Sequence, residues 1–82
     1  MRPTRPRLVL YTREGCGLCD EMLDELVGRL SGQAVDLELR DVDADDADRA
    51  RYGLLVPVLV ADGRPLCNGR LDPDVLDELL GE

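Results

Sequence analysis

The chain has 82 residues, enough for one small domain whose core must be compact. Eighteen acidic side chains face ten cations, all arginine, for a formal charge of −8, so nucleic acid is excluded as a partner: binding phosphates needs a basic face. Histidine is absent, which removes the usual general base and the commonest metal ligand; any nucleophile must be activated by local fields or by arginine.

Residues 1–7 are basic and contain two prolines, and they run into an apolar stretch with no separate hydrophobic segment of signal-peptide type. They are expected to form a flexible basic arm, with a single domain over 8–82. Leu8, Val9, Leu10 and Tyr11 form a continuous apolar run, as in a strand covered on both faces. Residues 12–15 follow as a turn, and then come Cys16, Gly17, Leu18 and Cys19. From Cys19 onward Met22, Leu23, Leu26, Val27 and Leu30 keep helical spacing, with Asp20, Glu21, Asp24 and Glu25 on the other side. Glu25 is placed to pair with Arg29 one turn later, and Ser31-Gly32 ends the helix.

Val35, Leu37 and Leu39 alternate with charged residues, the period of a second strand with one wetter face. An aspartate-rich stretch leads into a short helix near 45–52, closed by Gly53. It is no calcium loop, because the sixth and twelfth positions counted from Asp41 are Asp46 and Tyr52 rather than glycine and glutamate. The apolar run 54–60 predicts a third strand, Asp62-Gly63 a tight hairpin, and Pro65-Leu66-Cys67 a short edge strand. Asp72-Pro73 is an N-cap with a first-turn proline for a last helix that buries Val75, Leu76, Leu79 and Leu80. The short connections around the first helix make strands one and two parallel, with a right-handed crossover.

Two thiols separated by two residues, where a strand ends and a helix begins, form a redox geometry. The helix N-terminus offers free N–H groups and partial positive charge to a thiolate, the species that attacks a disulfide. Arg13 and the helix end lower the Cys16 pKa while Glu14 and Asp20 raise it, for a modest net acidification. A zinc site would want four nitrogen or sulfur ligands, and the chain offers three cysteines and no histidine, so no metal is expected. The odd cysteine count is not that of a secreted disulfide framework, and no segment is long enough to span a membrane, so a cytoplasmic monomer is expected.

This order of elements, with its C-x-x-C at the first strand–helix junction, resembles the thioredoxin fold in its short, glutaredoxin-like form. The likeness is carried by residues 8–19, by Leu55-Val56-Pro57-Val58 and by the Asp62-Gly63 hairpin. With its C-x-Leu-Cys-Asp pattern and very short length, the chain is most similar to a small, poorly characterised bacterial glutaredoxin-like family. The resemblance implies an α/β class, thioredoxin-like β-α-β-α-β-β-α, with a four-stranded mixed sheet and helices on both faces. It further implies that Pro57 is cis and lies against the cysteines, that Val56 offers its backbone to an extended substrate, and that Arg13 stands where glutaredoxins place a substrate-binding lysine. The implied activity is thiol–disulfide oxidoreduction, Cys16 as nucleophile and Cys19 as resolving thiol, on a protein or low-molecular-weight disulfide.

No bound cofactor is implied. Glutathione enters as a possible co-substrate, and the reductant is glutathione or a thioredoxin-type reductase. Two departures bear on the glutathione step: Gly17-Leu18 replaces the common Pro-Tyr, and Cys67-Asn68-Gly69-Arg70 replaces a Gly-Gly pair followed by an acid. The competing class is a thioredoxin-fold binding module without turnover, or a carrier of an iron–sulfur cluster.

Overall fold

The computed structural model describes residues 6–81; residues 1–5 of the expected arm lie outside the described part. The chain runs β1 (Arg7–Thr12), α1 (Gly17–Leu30), β2 (Asp36–Asp41), a 3-10 turn (Val42–Ala44), α2 (Asp46–Tyr52), β3 (Val58–Ala61), β4 (Arg64–Asn68) and α3 (Pro73–Leu80). The sheet order is β2-β1-β3-β4. β1 pairs parallel to β2 and antiparallel to β3, and β3 pairs antiparallel to β4. The expected mixed four-stranded sheet is therefore present. Arg7 belongs to β1 rather than to an arm, because it pairs with Asp36, and the Pro6 carbonyl also accepts from the Asp36 N–H.

Alternation along the two central strands sends side chains to opposite faces. Leu8 and Leu10 of β1 and Leu59 and Ala61 of β3 join Met22, Leu26 and Leu30 of α1 and Leu76 of α3 in an aliphatic core. Tyr11 of β1 and Val58 and Val60 of β3 point the other way and pack with Val42 and Tyr52 from the 3-10 turn and α2. Helices thus cover both faces. Tyr11 and Tyr52 hold α2 to the sheet through rings whose centroids are 4.8 Å apart.

The local signals at the turns act as their chemistry requires. The Asp62-Gly63 hairpin has positive φ at both central residues, 49° and 84°, the requirement of a two-residue turn matching strand twist. Pro65 lies opposite Val60 on the edge strand β4, beside the register shift between Leu59 and Val60, a setting in which sheets admit proline. The Asp72 carboxylate accepts from the N–H groups of Asp74 and Val75, and Gly81 closes α3 in the left-handed region.

Further expectations need correction, beginning with α3, which buries Leu76 and packs Leu79 and Leu80 against the core but leaves Val75 outside it. Val27 lies off the buried face of α1 and is exposed. Leu39 is exposed as well, because β2 is an edge strand. The apolar run 54–60 is not one strand: β3 starts only at Val58, and Leu54 and Leu55 are 100% and 46% exposed. Gly53 ends α2 in the right-handed region, not as a left-handed cap. Its lack of a side chain serves close approach instead. A Cβ there would come within 2.5 Å of the Arg49 carbonyl oxygen and 3.3 Å of the Arg13 guanidinium.

Candidate active site

The sheet pairing brings the candidate residues to one end of the molecule. Tyr11 lies opposite Val58, so the chain leaving β1 toward the cysteines and the chain entering β3 from Val56-Pro57 emerge together. Val58 in turn lies opposite Asn68, and Gly69 donates its N–H to the Pro57 carbonyl at 2.8 Å. The Val56–Pro57 peptide is cis. This is the C-terminal end of the two parallel strands, where open α/β sheets form their crevices.

Cys16 is the N-cap of α1. Its backbone is extended, its sulfur accepts from the Cys19 N–H at 3.1 Å, and its carbonyl accepts from the Asp20 N–H. The helix has no Ser, Thr or Asp at that position, so the sulfur itself takes the capping role. Cys16 and Cys19 form a disulfide, with Cα atoms 5.2 Å apart. Cys16 is half-buried while Cys19 is 2% exposed, because helical spacing aligns Cys19 with Met22 and Leu26. One sulfur is therefore reachable and the other is shielded.

Arg13 is engaged in a way that the sequence does not announce. Its Nε and Nη2 donate to Asp43 Oδ2 and Oδ1 at 2.8 and 2.9 Å, and its Nη1 donates to the Gly53 carbonyl at 2.8 Å. The Asp43 carboxyl is held below the usual carboxylate range, chiefly by this hydrogen bond; burial opposes it, and the Arg13 and Arg49 charges add smaller effects in the same direction as the hydrogen bond. Asp43 and Gly53 were not candidates from sequence, since they lie 30 and 40 residues from Arg13 and carry no local motif. The aspartates around Asp43 serve local turns: Asp41 accepts from the Asp43 N–H and Asp45 from the Ala47 N–H.

Cys67 stands apart from the pair. It is half-buried on β4, and burial pushes its thiol pKa up, which disfavours the thiolate. Among the described residues no group of three or more histidine, cysteine or acidic side chains could hold a metal ion, and no helix is long and apolar enough to cross a membrane. Leu18 lines a shallow cleft with Met22, Gly69 and Arg70, and Leu55 lines a depression with Tyr52, Val58 and Cys67.

A four-stranded mixed sheet with helices on both faces and a cysteine pair capping the first helix defines a thioredoxin-like protein. Yeast mitochondrial thioredoxin 3, in its oxidized form, shares this fold at a TM-score of 0.67 and 18% identity, over 95% of this chain and 78% of that one. The family model for the glutaredoxin-like domain (DUF836) matches residues 7–81, and the chain belongs to that family. The solution structure of protein Ne2328 from Nitrosomonas europaea is similar at a TM-score of 0.84 and 33% identity, covering 96% of this chain and 95% of that one. The uncharacterized protein Rv0508 of Mycobacterium tuberculosis is 33% identical over 66 residues, which is 74% of this chain and 68% of that protein. A cysteine pair at disulfide distance within this fold is consistent with a redox role.

Proposed function

We propose that the protein is a dithiol oxidoreductase acting on protein or low-molecular-weight disulfides. The observation that carries this reading is the asymmetry of the pair: a reachable Cys16 at the N-terminus of α1 and a buried Cys19 bonded to it one turn on. In the reduced enzyme the Cys16 thiolate attacks one sulfur of the substrate disulfide. A mixed disulfide forms and the first substrate thiolate leaves, taking up a proton. The Cys19 sulfur then attacks Cys16 and displaces the second substrate thiol. The pair ends oxidised, and two electrons and two protons have passed to the substrate. A thiol reductant, glutathione or a thioredoxin-type reductase, restores the dithiol. In this reading the backbone of Val56, in the segment that enters β3 at the same end of the sheet, takes an extended substrate as an added strand.

The helix N-terminus favours the thiolate of Cys16 over its thiol, while the burial of Cys19 keeps the resolving sulfur away from other reactants. A monomer in the cytoplasm, where reductant is abundant, suits this cycle. The test is turnover of a peptide disulfide with each reductant. Cys16→Ser is expected to lower the rate by at least about 10³-fold, the scale of losing a covalent nucleophile. Cys19→Ser is expected to trap a mixed disulfide visible by mass. Full activity in Cys16→Ser would exclude the mechanism.

A further inference from the structure

The cation nearest the reactive pair along the chain is already occupied. Arg13 lies three residues before Cys16, and its carbonyl accepts from the Cys16 N–H at 3.2 Å, so its backbone is part of the turn that presents the sulfur. Its side chain reaches away from that turn to two other segments. Asp43, on the 3-10 turn after β2, takes two guanidinium donors side by side, the geometry that best fits a planar fork. The Gly53 carbonyl, at the end of α2, takes a third. A side chain at 53 would collide with the Arg49 carbonyl oxygen at 2.5 Å and also approach that guanidinium to 3.3 Å.

Gly53 begins the segment that leads through Leu54 and Leu55 to Val56-Pro57. That segment is anchored at its ends, by the Gly53 N–H donating to the Arg49 carbonyl at 2.9 Å, by Val56 packed against the Tyr11–Val42–Tyr52 cluster and by the fully buried Pro57. Leu54 is fully exposed and Leu55 nearly half exposed, and the Leu55 N–H donates back to the Tyr52 carbonyl. To these contacts the Gly69–Pro57 hydrogen bond adds a tie at one end, and Arg13 adds one from the turn that presents Cys16 to the Gly53 carbonyl at the other.

Building on the disulfide-exchange reading, we propose that Arg13 is an internal brace for the substrate groove, a positioning residue held in register by Asp43, and not a receptor for a substrate carboxylate. An internal carboxylate fills the fork that an anionic substrate would need. The groove therefore takes its affinity from the backbone of residues 53–57 and suits extended peptide disulfides without a carboxylate beside the sulfur. Lysine could not replace Arg13, since a point charge on a flexible stem cannot hold a carboxylate in a fork and a carbonyl at once.

The experiment compares wild type, Arg13→Gln, Asp43→Asn and the double variant on three oxidised substrates: a neutral peptide disulfide, oxidised glutathione and bis(2-hydroxyethyl) disulfide, which is too small to need the groove. Each single variant is expected to raise KM for the peptide about five- to thirtyfold at unchanged kcat, as for the loss of one or two polar contacts. The double variant is expected to be no worse than either single one, because both remove the same brace. In Asp43→Asn, which keeps the Arg13 charge, turnover of the small disulfide should not move, whereas general damage to the fold would lower it too. Amide exchange at Gly53 and Leu55 should quicken in both variants while α1 and α3 keep their protection.

A lower KM for oxidised glutathione in Asp43→Asn, with an Arg13→Gln defect confined to that anionic substrate, would make Arg13 a carboxylate receptor and overturn the brace. Unchanged exchange at Gly53 and Leu55 would overturn it as well. If wild type reduces none of the three disulfides, the oxidoreductase reading falls, and the amide-exchange arm alone decides whether the brace exists.

Discussion

The two faces of the sheet are built by different physics. Beneath α1 and α3 the contacts are aliphatic: Leu8, Leu10, Leu26, Leu59 and Leu76 are buried together, and Cys19 lies on the buried side of the same helix. Beneath the 3-10 turn and α2 the apolar cluster is smaller, centred on Tyr11, Val42 and Tyr52. It is supplemented at the rim by the Arg13–Asp43 pair, by Arg49–Asp46, and by Arg51 stacked over Tyr52. Apolar burial is not screened by salt, while ion pairs at the surface are. The sulfur pair is thus carried by the rigid face. Residues 53–57, which would meet the substrate, hang from the adjustable one.

A sufficiently large cavity on the first face should break the molecule as a whole. Leu26→Ala removes a fully buried side chain between α1 and the sheet and is expected to cost about 3 kcal/mol, read as a lower urea midpoint at an unchanged slope. Val42→Ala on the second face deletes two buried methyl groups and is expected to cost about 2 kcal/mol. Its signature should also be local, with amide exchange rising in α2 and at Leu55 before it rises in α1. A Val42→Ala variant that loses protection uniformly would show that the two faces form one cooperative unit.

The difference between the faces also explains what the sequence disclosed. The first face was legible because its signals are periodic. Met22, Leu26 and Leu30 recur at helical spacing, Leu8 and Leu10 at strand spacing, and Asp72-Pro73 marks a helix start with its own chemistry. The cysteine pair was legible for the same reason, being four consecutive residues at the junction of two such patterns. The second face depends on contacts between residues far apart in the chain. Nothing about Asp43 among its neighbouring aspartates distinguishes it as the partner of Arg13, and the hydrophobicity of Leu54 and Leu55 read as a buried strand. Only the register of β1 against β3 shows that strand pairing cannot begin before Val58. Gly53 does close α2, and what the sequence does not show is the close approach of the Arg49 carbonyl, with the Arg13 guanidinium just beyond, that leaves no room for a side chain there.

The smallest expected effect, and the one that separates the faces most cleanly, is their response to acid. The Asp43 carboxyl sits below the ordinary aspartate range, so its pairing contributes in full above the unfolded-state pKa and is lost as pH falls through the lower, folded value. Both partners are more than a third exposed, which keeps the global effect small. The local effect is the useful one. On acidification the Leu55 and Gly53 amide signals should shift in step with protonation of the Asp43 carboxyl, while those of Met22 and Leu76 stay fixed. Asp41 and Arg49 also act on this pair, Asp41 on Arg13 and Arg49 on Asp43, so the step must be assigned by substitution. Asp43→Asn should abolish it and Asp41→Asn should only displace it. A step that survives in Asp43→Asn would mean that another carboxylate holds the α2 face, and that face would then owe its adjustability to something other than Arg13.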